Sequence, residues 1–254
     1  MIRFENITKE LGGKKVLDDI SFEVDAGETV VIVGLSGAGK SVTLKHMIRL
    51  MSPDSGEVFI DGESITMQAQ AGLRRMRKKF GVLFQGAALL QWMSVRENVA
   101  LPLREHTALA ESDILRRVDD KLELLGLGDA GEKFPADISG GMQKRVGLAR
   151  AIIMDPKIVL YDEPTSGLDP VTSRRIDRLI VNMREQLGIT SVVVTHDLHS
   201  ALSIGSRIMM LHDGRIVENA TPEEFIRSQD ATVQSFLESQ YITKKGKWEN
   251  TGHE

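Results

Sequence analysis

The 254-residue chain has no cysteine, which excludes disulfides and thiolate chemistry and fits a reducing compartment. No apolar stretch approaches the ~18 residues that a membrane span needs. Near the N-terminus Arg3 brings a charge and no long apolar block follows, so the segment does not read as a secretory signal. Net charge is only −4, so no excess of one sign calls for nucleic acid or an anionic membrane surface. The basic run from Arg74 to Lys79 reads as a solvated helix face. Internal repeats and low-complexity segments are also missing. What remains, 41% apolar and 27% charged, is the composition of an ordinary globular protein with ample material for a core.

The hydrophobic pattern changes character twice. Residues 2–7, 20–24, 29–33 and 56–61 read as strands, with a turn at Asp61-Gly62. A further apolar strand, 80–84, stops at Gln85. From about 95 to 154 the period is helical, clearest at 111–125 and 142–154, with Gly126, Gly128 and Gly131 as punctuation. Strand and helix then alternate again: 157–161, 172–187, 191–195, and strands 207–211 and 216–218 around Asp213-Gly214. This order predicts an α/β fold with a β-rich N-terminal part, a parallel-sheet core and a helical insertion at about 86–157. The domain is expected to fill residues 1–240. The polar stretch 241–254 reads as a mobile tail, and 225–240 suits either an amphipathic helix packed on its own domain or a segment reaching a partner subunit.

Gly34, Ser36, Gly37, Ala38, Gly39, Lys40, Ser41 and Val42 follow the apolar run 29–33 and open a helical pattern over 42–50. This is GxxxxGK[ST] in the strand–turn–helix setting that a phosphate-binding P-loop requires. Backbone N–H groups and the positive end of the helix dipole would hold phosphates. Lys40 would reach the β- and γ-phosphates, and the Ser41 hydroxyl would ligate Mg²⁺. The motif implies that the chain binds a nucleotide.

Two further segments carry chemistry. The strand leading to Asp162 and Glu163 places paired carboxylates at its C-terminal end, where an α/β sheet puts its ligand. Asp162 would hold Mg²⁺ through water. Strand alternation would turn Glu163 to the other side, toward an attacking water, as general base. Ser139, Gly140, Gly141 and Met142 precede a helical run, and small residues there suit either an N-cap or a second anion-binding helix start. His196 follows a strand at the sheet's C-terminal edge, suited to a ligand contact; paired with His199 it has no further ligands at metal spacing.

The P-loop, Gln85, the Ser139-Gly140-Gly141 segment, Asp162-Glu163, the segment 166–169 ending in Asp169, and His196 stand in the order seen in ATP-binding subunits of ABC transporters. The resemblance covers residues 2 to about 222. It implies a P-loop NTPase fold of the ABC nucleotide-binding type and a head-to-tail homodimer with two ATP molecules between its subunits. Each ATP would be held by one P-loop and by the partner's serine-glycine segment. Ser139, Gly140, Gly141 and Met142 would then act on the partner's ATP. Gln85 would sense Mg²⁺ and the water, Asp169 would link the two sites, and His196 would contact the γ-phosphate.

The chain departs from the commonest pattern at Ile138 and Met142, where the family usually has Leu and Gln, the Gln standing one place later as Gln143. No aromatic residue stands near Leu11 to stack on adenine. With a single nucleotide-binding unit and no membrane span, the resemblance implies a separate multi-spanning permease. That permease would be docked through the stretch after Gln85, at the cytoplasmic face of a bacterial inner membrane.

Residues 83–90 and 98–107, with Met142, resemble the ATPase of Mla-type phospholipid transport systems. That likeness implies transport of phospholipid between inner and outer membranes, with an MCE-domain lipid-binding protein and a STAS-domain subunit as partners. An importer ATPase for amino acids or another small solute has the same catalytic residues. An ABC ATPase of iron–sulfur assembly has a similar length.

Overall fold

The computed structural model describes residues 1–240 and 242. The expected tail at 241–254 lies, Ile242 apart, outside the described residues. The chain divides into two compact units, Met1–Gln68 with Val194–Glu254, and Ala69–Val193. The insertion expected at 86–157 lies within the second.

In the first unit β1 (Ile2–Leu11) and β2 (Lys14–Val24) form an antiparallel hairpin. Its two-residue loop is Gly12-Gly13, both at positive φ, the backbone that a tight hairpin demands. The strands run several residues beyond the predicted 2–7 and 20–24, into outer halves that are mostly polar, with Leu17 fully buried, and that lack a sustained hydrophobic alternation. Their inner halves bury Ile2, Phe4, Ile7, Ile20, Phe22 and Val24, with Phe4 and Phe22 stacked at 4.5 Å. β3 (Thr29–Val33) is buried at every position. It leads through the P-loop into α1 (Lys40–Met47), which starts two residues before the predicted helix. Beyond α1, β4 (Ser55–Ile60) pairs with β1, and β5 (Glu63–Ser64) with β4.

The second unit contains α2 (Gln70–Arg77), β6 (Phe80–Leu83), α3 (Val95–His106), α4 (Glu111–Leu124), α5 (Gly140–Ile152), β7 (Ile158–Asp162), α6 (Pro170–Leu187) and most of β8 (Thr190–Val194). Their strands lie in the order β8-β7-β6, with β6 and β7 parallel. Of the basic run, Arg74 and Arg75 are exposed on α2 and Arg77 is half-buried at its end, whereas Lys78 and Lys79 follow the helix, whose Leu73 and Met76 are buried. α6 starts at Pro170, whose fixed φ suits a first helical position, and ends at Gly188 in the left-handed conformation.

The chain returns to the first unit through α7 (Leu198–Ile204), a short helix the pattern does not reveal. β9 (Arg207–His212) pairs in parallel with β3 and antiparallel with β10 (Arg215–Ala220), across the predicted Asp213-Gly214 turn. The segment 225–240 is not one helix. α8 (Pro222–Ile226) and α9 (Ala231–Ser239) are separately capped by Thr221 and Asp230.

Asn98 is fully buried and closes the stretch between Gln85 and α3. Its amide nitrogen donates to the carbonyls of Leu90, Met93 and Ser94, each at 3.0 Å, and its oxygen accepts from Leu90 N–H at 2.8 Å. Asn98→Ala strands buried backbone groups, so urea denaturation should show a loss of about 2–3 kcal/mol. A change under ~0.5 kcal/mol would remove Asn98 as the latch of this stretch.

Candidate functional site

In the first unit, glycine is obligatory where the P-loop leaves β3. Gly34 has φ +149°, and a Cβ there would sit 2.3 Å from the Leu211 carbonyl oxygen of β9. At Gly39, φ +103°, it would sit 2.7 Å from the Val16 oxygen of β2. The loop is therefore pressed against two strands from behind, while Leu35, Ser36 and Gly37 face solvent and Ala38 is half-buried. α1 starts from Gly39 with no side-chain cap, so an anion suits its first turn. Lys40 is buried, and its ammonium donates to the carbonyls of Gly34 at 2.8 Å and Leu35 at 3.0 Å. Ser41 and Val42 are half-buried in the first helical turn.

His196 belongs to the same unit. The preceding residue, Thr195, donates its N–H to the carbonyl of Ile32 in β3 at 3.1 Å, beside the strand that feeds the P-loop. The His196 side chain is exposed, and Asp197 caps α7. Gln240, which the sequence does not mark, clamps this loop from the end of α9. Its nitrogen donates to the His196 carbonyl at 2.5 Å, and its oxygen accepts from Leu198 N–H at 2.9 Å. Leu11 is the last residue of β1 and 40% exposed.

In the second unit, Leu83 of β6 pairs with Tyr161 of β7 in parallel register. The ends of both strands, with Gln85 two residues past β6 and Asp162-Glu163 at the end of β7, therefore lie at one edge. Strand alternation does not orient Glu163, contrary to expectation: β7 ends at Asp162, and Glu163 has φ +49°. A left-handed turn sets its direction at a cost of roughly 1–2 kcal/mol for an L-residue. The Glu163 carbonyl accepts from Ser166 N–H at 3.2 Å and from the Lys144 ammonium at 3.0 Å.

Ser139 caps α5, its hydroxyl accepting from Met142 N–H at 3.3 Å. Ser139 and Gly140 are exposed, whereas Gly141 is buried against α6, where a Cβ would meet Thr172 Cγ2 at 2.4 Å. Gln143 holds the approach to the helix by donating to the Pro135 carbonyl at 2.9 Å. Asp169 caps α6 by accepting from Val171 and Thr172 N–H. Hydrogen bonds from Thr172, side chain then backbone, keep its carboxyl below the usual range.

Lys144, also unmarked in the sequence, is buried and bonds to the carbonyls of both Gln85 and Glu163. Burial pushes its pKa down, and the carboxylates of Glu163 and Asp162 pull it back up.

In the first unit Ser41 offers a hydroxyl, and in the second Gln85 and Asp162 offer an amide and a carboxylate, donor types that suit Mg²⁺, a cation that keeps water and phosphate oxygens as ligands. No group of three or more His, Cys, Asp or Glu able to hold a metal occurs among the described residues.

Residues 17–166 match the family described as ABC transporter. The chain is 42% identical, over 95% of its length and 70% of the relative's, to "Probable ribonucleotide transport ATP-binding protein mkl" of Mycobacterium leprae. It is 38% identical to the intermembrane phospholipid transport system ATP-binding protein MlaF of Haemophilus influenzae, covering 94% of this chain and 91% of that one. To the methionine import ATP-binding protein MetN of Carboxydothermus hydrogenoformans the identity is 43%, over 86% and 65%. Among solved structures, a dimeric post-hydrolysis ATP-binding cassette bound to ADP and Pi superposes with a TM-score of 0.81 at 34% identity, covering 87% of this chain and 99% of that one. The chain belongs to the ABC transporter family: it is an α/β P-loop ATPase that binds ATP with Mg²⁺.

Proposed function

We propose that the chain is the ATP-hydrolysing subunit of an ABC transporter, working as a head-to-tail homodimer on a separate multi-spanning permease. The observation that carries this reading is the pair of glycine-rich helix approaches on one chain, exposed at 35–37 in the loop before α1 and at Ser139 and Gly140 at the start of α5. Lys40 and the P-loop backbone of one subunit bind the phosphates, and Ser139, Gly140, Gly141 and Met142 of the other cover the γ-phosphate. Ser41, Gln85 and Asp162 would hold Mg²⁺, which when bound would supply positive charge beside the phosphates. Glu163 takes the proton of the attacking water, His196 and Gln85 position the γ-phosphate and that water, and Asp169 links the two sites. ATP attracts both helix starts and so favours the closed dimer, and loss of the γ-phosphate removes those contacts.

A groove of about 1280 Å³ in the second unit supports docking of a permease. Phe80, Phe84 and Pro102 give it an apolar lining, and Arg74 and Arg77 of α2, with Lys78 just after it, put cations along it. Pro102 lies inside α3, where it removes a helical N–H, and the stretch after Gln85 leads into that helix. No helix among the described residues is long and apolar enough to cross a membrane. Attachment at the cytoplasmic face therefore rests on the permease.

For the cargo, a small solute is the better supported reading, since the relatives at 42–43% identity are named for ribonucleotide transport and methionine import. Phospholipid is the second reading, favoured by MlaF, whose length this chain nearly spans. It carries MCE- and STAS-domain partners with it. Purifying the complex from detergent-solubilised membranes and identifying the permease and the bound solute or lipid separates the two.

Glu163→Gln should leave ATP binding intact and lower turnover by at least ~10², the size of a positioned base; unchanged turnover removes Glu163 from that role. Ser139→Arg should bind ATP as a monomer yet fail to dimerise with it on size-exclusion chromatography, and normal ATP-driven dimerisation would contradict the two-sided site. Arg74→Glu combined with Lys78→Glu should keep basal ATPase activity and reduce co-purification with the permease by ~10-fold. Undiminished recovery would place the dock elsewhere.

A further inference from the structure

Lys144 stands in the second turn of α5 and is 5% exposed. Its ammonium donates to the carbonyl of Gln85, 59 residues away in sequence, and to that of Glu163 at 3.0 Å, 19 residues away. A lysine is costly at a buried position unless its donors are used, and here two are taken by two functional segments.

Both segments have backbone that L-residues avoid. Glu163 has φ +49°, and Ala87 and Ala88, directly after the Gln85 turn, have φ +57° and +48°. Such conformations persist only where the surroundings over-determine them. α5 supplies the hold at successive positions of one face. Lys144 takes Gln85 and Glu163. At Gly147 a Cβ would meet Leu83 Cδ1 at 2.8 Å and Ala87 Cβ at 3.1 Å, so the helix lies directly on the loop. Arg150 donates to the carbonyls of Ala87 at 2.7 Å and Ala88 at 2.8 Å. Of these three residues, only Lys144 touches both the Gln85 and the Glu163 backbone.

We propose that Lys144 is a positioning residue for hydrolysis, setting the backbone of Gln85 and Glu163 together from the helix whose start carries Ser139. The inference rests on the roles given above to Gln85 and Glu163. In the head-to-tail dimer Ser139 meets the partner's ATP, whereas Gln85 and Glu163 act on the ATP of their own subunit. Lys144 therefore ties closure at one ATP to the geometry at the other.

The test is basal ATPase turnover and ATP affinity of the full chain carrying Lys144→Met, Lys144→Gln or Lys144→Arg, with thermal melting alongside. ATP affinity is read by titration with trinitrophenyl-ATP. The expectation for Lys144→Met is a kcat at least ~10-fold lower with ATP affinity within ~3-fold, since the P-loop is untouched. Lys144→Arg, which keeps the charge and the donors, should recover most of the turnover, and Lys144→Gln should fall between. As a control, Lys121→Met removes a lysine of α4 paired with Asp155 and should leave turnover unchanged.

If Lys144→Met does not fold, Lys144→Gln decides in the same way: lower kcat with intact affinity supports the role, and unchanged kcat overturns it. The proposal is also overturned if Lys144→Met keeps more than half of the turnover. A Lys144→Arg variant as inactive as Lys144→Met would overturn it too, because the position would then matter for packing alone. Full turnover in Glu163→Gln overturns the reading of Glu163 itself, whatever the Lys144 variants do.

Discussion

The binding of phosphate depends on a helix start that no side chain closes. At Gly39 the chain enters α1 from φ +103°, where any residue with a side-chain acceptor would be strained and its Cβ would strike the backbone of β2. The same is true of Gly34 against β9. These two close approaches explain the glycines at the loop's ends. They also explain why the hairpin β1–β2 and the strand β9, which contain no site residue, are needed to shape it. The helix dipole and the loop's backbone then meet an anion without competition from an internal carboxylate.

The second unit solves a different problem. Gln85 and Glu163 arrive on parallel strands of one edge, and carbonyls of the turns there accept from side chains of α5. Non-glycine residues at positive φ on both turns show that conformation is imposed from outside, at roughly 1–2 kcal/mol per residue. The imposing element is α5, which reaches both turns through cations donating to carbonyls. The same helix begins at the exposed Ser139 cap, so the fastening of both turns and the serine-glycine segment belong to one element.

Much of this was legible in the residues. β3, the P-loop, Asp162-Glu163 and the Ser139 cap appear where buried runs, glycine spacing and capping rules put them. The Asp213-Gly214 hairpin and the span of α4 follow from the same rules. The starts of α1, α5 and α6 lie two residues earlier than periodicity suggests, because lysine, glycine and proline at helix starts carry no apolar signal. The outer hairpin of β1 and β2 was illegible for a similar reason, its mostly polar strands having no sustained alternation to read. Strand alternation misled at Glu163, where the chain had already left the strand.

Residue types at fixed local spacing determined the chemistry by themselves, since phosphate binding, capping and a carboxylate pair at a strand end are built from neighbours along the chain. Only the tertiary structure decided what holds those residues in place. Lys144 and Gln240 act through backbone carbonyls 59 and 44 residues away, and a carbonyl is present at every position whatever the side chain. A bond to it leaves no mark in a sequence pattern, so such contacts become visible only when the chain is folded.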